Sequence, residues 1–326
     1  MGRMTYAQAG CLGLREAMLE DRRVWALGED LGPEGGVGGQ YKGLQDEFGP
    51  ARIFDTPISE NNIMGAGVGA ALAGTRPVVE LRYCDFGMIA ADEIVNQAAK
   101  IRYMTGGQAR APLVIRQTIG IRTGAAAQHD QSTEAWWVHA PGLVVVTPAT
   151  PADNRALLLA AIRCDDPVVY MEHKELWAVE GDVPDNATDA ELGRAAIRRP
   201  GRDLTVVSWS KASLESVIAA DKLAAEGIDA EVIDLRTLYP WDKSTVFESV
   251  RRTGRLLVAH ESSRIGGFGA EIVAEVTEKL FRELKAPPLR VAGPRSTIPF
   301  SKPLEDLCRV EAPKIELGIR KLMGHR

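Results

Sequence analysis

At 326 residues the chain is too long for one ordinary domain and fits two of moderate size. Its hydrophobic content of 45% is that of an α/β protein able to bury a core. Its formal charge of −5 argues against a nucleic-acid or acidic-membrane partner, because phosphate binding needs a surplus of Lys and Arg.

The start, Met1-Gly2-Arg3-Met4-Thr5-Tyr6, carries no signal-peptide core and leads straight into an amphipathic pattern. Short apolar runs then alternate with helical patterns. Val24 to Gly28 is followed by a glycine-rich loop from Gly32 to Gly43, then by Arg52 to Asp55 and a small-residue helix from about Asn61 to Gly74. Pro77 to Leu81, Leu113 to Arg116, Leu143 to Thr147 and Val168 to Met171 are further strands, with helices at Asp92 to Met104 and Pro151 to Arg163. Runs without polar alternation predict strands covered on both faces, as in a parallel sheet. The rhythm lapses between Trp177 and Arg202, where Asp182, Pro184, Asp185, Asn186, Pro200 and Gly201 read as a linker. It resumes with strands at Leu204 to Trp209, Ala230 to Leu235, Arg255 to His260 and Leu289 to Val291, separated by helices. The expected fold is α/β in two domains, each a largely parallel sheet flanked by helices: 1–180, a linker at 181–202, and 203–326.

Cys11, Cys84, Cys164 and Cys308 show no paired spacing for zinc, redox work or a disulfide framework, so reducing surroundings are expected. No apolar run approaches the ~20 residues that cross a bilayer. A cytoplasmic protein, or a mitochondrial-matrix one after processing, is the plain expectation.

Gly65-Ala66-Gly67-Val68-Gly69-Ala70 matches a dinucleotide fingerprint, and Glu80 follows near a strand end. That mechanism needs the first glycine in the turn directly after a strand. Here Asp55 ends the strand ten residues earlier, so the glycines fall inside a helix and point to close packing. Just before them, Asp55-Thr56-Pro57-Ile58-Ser59-Glu60 places Glu60 in a first helical turn at the sheet's carboxyl edge, where open α/β sheets bind ligands. The same spacing suits a glutamate that merely complements a helix dipole. His129 lies in Gly124-Ala125-Ala126-Ala127-Gln128-His129-Asp130-Gln131, a loop of small residues. A histidine there serves either as an acid, base or donor near neutrality, or as a cap or partner of Asp130. His139 is expected to pack on Trp136 and Trp137. His173 and His260, beside Glu172 and Glu261, are expected to make structural hydrogen bonds, and His325 is a tail residue. No histidine pair has metal-ligand spacing, and no P-loop, hydrolase elbow or helical zinc motif is present.

Taken together, Asp55 to Glu60, Arg102-Tyr103-Met104-Thr105-Gly106-Gly107, Ala127-Gln128-His129, His139-Ala140-Pro141-Gly142 and Glu231-Val232-Ile233-Asp234-Leu235-Arg236-Thr237 resemble beta subunits of the thiamine-diphosphate-dependent decarboxylase component of 2-oxo acid dehydrogenase complexes. Pyruvate, branched-chain and acetoin dehydrogenases share the pattern, which runs in register over nearly the whole chain. The resemblance implies a transketolase-like pyrimidine-binding domain and a transketolase C-terminal-like domain. It implies that Glu60 hydrogen-bonds a ring nitrogen of the cofactor's aminopyrimidine. The imino tautomer so favoured takes a proton from the thiazolium carbon. It further implies that Phe86 stacks on the aminopyrimidine, that Ile58 contacts the same ring, and that His129 assists acyl transfer to lipoamide. Such a carboxyl works best in a dry site, which the flanking Ile58 and Phe86 are expected to supply.

This chain departs from the family pattern at several places: Arg82 stands where some relatives have Gln, Asn61-Asn62 follows Glu60, and Cys164 occupies an acidic position of a monovalent-cation (K+) site, with Asp166 nearby. The chain lacks motifs for the diphosphate and its Mg2+, which in the family lie on an alpha chain. The resemblance therefore implies an assembly of two alpha and two beta chains, docked on a lipoyl acyltransferase core, with the cofactor bridging alpha and beta. The substrate is expected to be pyruvate or acetoin ahead of branched-chain 2-oxo acids. The competing readings are a nicotinamide enzyme using Gly65, Gly67 and Glu80, and a non-catalytic assembly subunit.

Overall fold

A computed structural model describes residues 2–186 and 190–324; His325 lies outside them. In chain order the first part comprises β1 (Gly2–Thr5), α1 (Tyr6–Glu20), β2 (Val24–Gly28), α2 (Leu44–Phe48), β3 (Ile53–Asp55), α3 (Glu60–Leu72), β4 (Arg76–Leu81), α4 (Ile101–Met104), β5 (Val114–Ile119), α5 (Glu134–Val138), β6 (Val144–Val146), α6 (Pro151–Arg163), β7 (Val168–His173) and β8 (Glu180–Val183). The second comprises β9 (Ala196–Arg199), β10 (Leu204–Ser208), α7 (Lys211–Ala224), β11 (Ala230–Asp234), β12 (Thr237–Tyr239), α8 (Lys243–Thr253), β13 (Leu256–Ser263), α9 (Gly269–Leu280), β14 (Leu289–Gly293), α10 (Lys302–Cys308) and α11 (Ala312–Met323).

The chain divides into two compact units. The first runs to Ile119 and resumes over Trp136–Leu192; the second joins Gly120–Ala135 to the residues from Gly193 onward. The strands of the first unit lie in the order β6-β7-β5-β4-β2-β3, all parallel. Strands β4, β5 and β7 are buried along almost their whole length, their short apolar stretches followed by buried polar residues such as Glu80, Arg116 and Glu172. α1 packs against α6 on one face, and Leu14, Met18, Leu157 and Leu158 join Val78, Val114 and Val168 in the core. Both helices begin where the sequence signals a start. Thr5 and Gln8 form a reciprocal capping box for α1, and Thr150 caps α6 ahead of Pro151.

The second unit carries the order β14-β13-β10-β11-β9, with β9 antiparallel at the edge and the other neighbours parallel. Helices α7 and α11 cover one face, around core positions such as Val206, Leu223, Val232 and Ile315. α8 is closed by Asp242 at its start and by Gly254, at φ +72°, at its end.

Three features differ from the sequence expectation. Residues 181–202 are not a bare linker: β8 pairs antiparallel with β1, and β9 forms the edge of the second sheet. Polar edge strands have no alternating apolar face to announce them. The helical stretch expected over Asp92 to Met104 is present but is not one α-helix: a π-helix at Asp92–Ala98 precedes the short α4. Finally, Gly120–Ala135, assigned by sequence to the first domain, packs with the second unit.

Candidate active site

The strand order of the first unit places its topological switch point between β2 and β4, since the chain leaves β2 toward β3 and then crosses back to β4. Ligands bind outside the carboxyl ends of such strands. The residues emerging there are Glu29 and Asp30 after β2 and Arg82 after β4. Arg82 donates to the Glu29 carbonyl (2.9 Å) and to Asp30 Oδ2 (2.6 Å), joining the two strand ends. Glu29 is buried, and burial raises its pKa; Arg82 opposes this and the neighbouring Glu60 adds to it.

Glu60 opens α3 from the same edge, and its relative exposure is only 8%. Asp55, which ends β3, instead accepts the Gly32 amide (2.9 Å) and fixes the glycine-rich loop. Phe86 starts a 3-10 turn after β4, half-buried, with its ring edge-on to Tyr83 at 6.0 Å. Ile58 is 79% exposed, so it does not dry the carboxyl within this chain; its apolar side chain is left for another molecule to cover. Thus Glu60 and Phe86 stand at the carboxyl edge of one sheet, joined by Glu29 and Arg82. Sequence reasoning missed Glu29, although its place directly after the Val24–Gly28 strand was a usable signal.

His129 belongs to the other unit. It is half-buried at the end of a 3-10 turn (Ala126–Gln128), on the segment 120–135. His139 is exposed. His173 accepts the Glu175 amide at Nδ1 (3.2 Å), a structural bond as expected. His260 is buried and stacked on Trp209 at 4.9 Å, and burial lowers its pKa to about 4.

The glycine fingerprint is interior to α3. A Cβ on Gly67 would stand 2.4 Å from Val79 Cγ2, so this glycine allows the helix to close on β4. Glu80 is buried and accepts the Tyr41 hydroxyl at 2.7 Å, which leaves it unavailable to a ribose. The nicotinamide reading fails on both counts.

At Cys164–Asp166 the acceptors already have cationic partners. Arg76 donates to the carbonyls of Ile162 (3.0 Å) and Cys164 (2.9 Å) and to Asp165, which also binds Arg110; Arg102 pairs with Asp166 at 2.8 Å. Three guanidinium groups surround the turn where the family resemblance placed a monovalent cation, and the donor set does not fit K+. Among the described residues no group of three His, Cys, Asp or Glu side chains is placed to hold a metal. What the switch point offers is a carboxyl and an aromatic ring, a set that fits the aminopyrimidine end of thiamine diphosphate and not its diphosphate.

The domain families agree with this geometry. Residues 3–179 match the transketolase pyrimidine-binding domain and residues 193–315 the transketolase C-terminal domain. Together they define a transketolase-type chain of two α/β domains. The split-gene transketolase described as an inactive beta4 tetramer shares the fold, with a TM-score of 0.80 over 98% of this chain and 99% of that one at 24% identity. Among curated proteins, the acetoin:2,6-dichlorophenolindophenol oxidoreductase subunit beta of Cupriavidus necator is 44% identical, covering 94% of each chain. The 2-oxoisovalerate dehydrogenase subunit beta of Bacillus subtilis is 39% identical over 99% of each, and the pyruvate dehydrogenase E1 component subunit beta of the same organism 41% over 93% of each. The chain belongs to this family of acetoin, pyruvate and branched-chain 2-oxo acid dehydrogenase beta subunits.

Proposed function

We propose that the chain is the beta subunit of a heteromeric thiamine-diphosphate-dependent dehydrogenase of a 2-oxo acid or acetoin, passing the acyl group to lipoamide. The observation that carries the reading is Glu60, a carboxyl buried at the first turn of α3 beside the β2–β4 switch point. When bound, the cofactor supplies the attacking carbon and the electron sink. Glu60 holds or shares the proton at the ring nitrogen of the aminopyrimidine, and Phe86 offers its ring face to the same group. Ile58, exposed here, meets that ring once a second chain closes over it. Glu29 and Arg82 tie the two strand ends together and keep the floor of the site fixed. His129 delivers or takes a proton during acyl transfer.

An alpha chain completes the site in an assembly of two alpha and two beta subunits, holding the diphosphate and Mg2+, and a lipoyl acyltransferase core receives the product. No K+ is needed at Cys164–Asp166, because arginines neutralise that turn. Among the described residues no helix is long and apolar enough to cross a membrane; the cytoplasm or the mitochondrial matrix is the proposed location. Acetoin and pyruvate remain together as first substrates.

The test is co-expression with an alpha subunit, followed by cofactor-dependent dye reduction with pyruvate, acetoin and 2-oxoisovalerate. Turnover of one substrate only when both chains are present supports the reading and names the substrate. A Glu60→Gln enzyme that assembles should lose at least about 100-fold in rate, the scale of a lost acid–base group; normal turnover removes Glu60 from the mechanism.

A further inference from the structure

The segment Gly120–Ala135 is too poor in large side chains to hold itself by packing, with Gly124-Ala125-Ala126-Ala127 running up to His129. Its order comes from polar contacts. Within it, buried Asp130 accepts the Arg122 amide (2.9 Å), and the Gly120 amide donates to the Gln131 carbonyl (3.0 Å). The rest comes from the carboxyl edge of the second unit's sheet, where β10 and β13 flank its switch point. Glu261, in β13, accepts the Ile121 amide at 2.7 Å, and Ser262 donates to the Ser132 carbonyl at 2.9 Å. Trp209, directly after β10, donates to Glu134 at 3.0 Å. From α10, Glu305 accepts the Gly124 amide at 3.0 Å. Arg309 reaches the Ile121 carbonyl (3.4 Å) and Thr123 Oγ1 (3.3 Å).

Glu305 and Arg309 are themselves an ion pair at 2.5 Å, with side-chain exposures of 0% and 4%. A buried pair offsets its loss of hydration only when its remaining acceptors and donors are also satisfied. Here much of that satisfaction comes from the segment: the second Glu305 oxygen accepts from Gly124, and the Arg309 amino groups reach Ile121 and Thr123, with Asp306 as a further partner of Arg309. The pair thus fixes the segment just upstream of Ala126, which sits at φ +62°. A non-glycine residue persists in that region only where its surroundings over-determine it. His129 begins three residues later.

We propose that Glu305–Arg309 is a positioning pair for His129, so that α10 takes part in acyl transfer through the segment it holds. The inference rests on His129 being the acyl-transfer histidine. It separates two half-reactions. Substrate conversion read by dye depends on Glu60, whereas transfer to a lipoylated acceptor depends on where His129 is held.

The test uses the enzyme paired with its alpha chain and compares Glu305→Ala, Glu305→Gln and His129→Ala. Dye reduction, acyl transfer to a lipoylated domain and amide exchange over residues 120–131 are measured. Glu305→Ala should slow acyl transfer by about tenfold or more, the scale of a misplaced catalytic group, with dye reduction within about twofold. Its segment should exchange faster. Glu305→Gln retains an acceptor for Gly124 and should recover most of the transfer rate. Equal losses in both half-reactions, or unchanged exchange over 120–131, overturn the proposal. If Glu305→Ala does not assemble, Arg309→Lys carries the same comparison, and wild-type behaviour on all three readouts refutes it. Should His129→Ala spare acyl transfer, the histidine's role falls, and with it the catalytic half of this inference; the exchange data still judge whether the pair holds the segment.

Discussion

Glu134 shows how much a residue's chemistry depends on where the fold puts it. Written in sequence beside Ala135 and Trp136, it looks like any acidic residue in a first helical turn. In the structure it is 1% exposed, accepts the Trp209 indole, and burial raises its pKa to about 7. A carboxyl with a folded pKa above its unfolded one binds its proton more tightly in the native state. Its contribution is therefore complete below about pH 4 and declines as pH rises toward 7. The gap corresponds to about 3 kcal/mol. A Glu134→Gln chain keeps an acceptor for Trp209 but cannot ionise, so its melting temperature should decline less between pH 5 and 7.5 than that of the wild type. Parallel curves would show that Glu134 is ionised throughout. Glu80 carries a similar rise to about 7 from burial, so some pH dependence should survive the substitution. The candidates Glu60 and His129 stood out in the sequence because of their loops: a strand end turned by proline, and a run of small residues around the imidazole. Glu29 and Glu134 did not, because their burial is set by elements distant in sequence.

At the level of elements, α3 separates two kinds of glycine that its sequence writes alike. Gly67 faces β4, where an added Cβ would lie 2.4 Å from Val79 Cγ2, whereas the same atom on Gly69 meets nothing within 4 Å. Overpacking against a strand costs about 1–3 kcal/mol, while replacing an exposed helical glycine by alanine gains about 1 kcal/mol. Gly67→Ala should therefore lower, and Gly69→Ala raise, the urea midpoint of the purified chain. Two shifts of the same sign would mean that α3 does not close on β4 at Gly67. The strands β2, β4, β7, β10 and β11 were readable from short apolar stretches without regular alternation, such as Val78 and Val79 or Val168 to Met171, which burial on both faces favours. The pairing of β8 with β1 was hidden by its composition, Glu180-Gly181-Asp182-Val183. The affiliation of 120–135 was hidden for another reason: hydrogen bonds to Glu261, Glu305 and Trp209 leave no periodic trace in the segment itself. At the turn Cys164–Asp166, Arg76, Arg102 and Arg110 supply the positive charge. Exchanging KCl for choline chloride at constant ionic strength should therefore leave the melting temperature unchanged. A rise of several degrees specific to K+ would show that the arginines do not replace a bound ion.

For the whole molecule, the proposed function leaves this chain with one end of a site. The β2–β4 switch point supplies a buried carboxyl and an aromatic ring, suited to a neutral pyrimidine, with Ile58 bare beside them. Affinity for thiamine diphosphate must come largely from its charged diphosphate, through a metal and backbone amides that hold phosphate oxygens. A ligand at 100 times its dissociation constant stabilises its host by about 2.7 kcal/mol, which in domains of this size moves a melting temperature by several degrees. The beta chain alone, titrated with thiamine diphosphate and Mg2+ to about a hundredfold the concentration that saturates the paired enzyme, should therefore melt where it melts without them. The alpha–beta assembly should shift by several degrees under the same conditions, and the shift should shrink in Glu60→Gln because one contact to the ring is weakened. An equal shift for the beta chain alone would mean that it binds the diphosphate unaided, and the division of the cofactor between two chains would have to be abandoned.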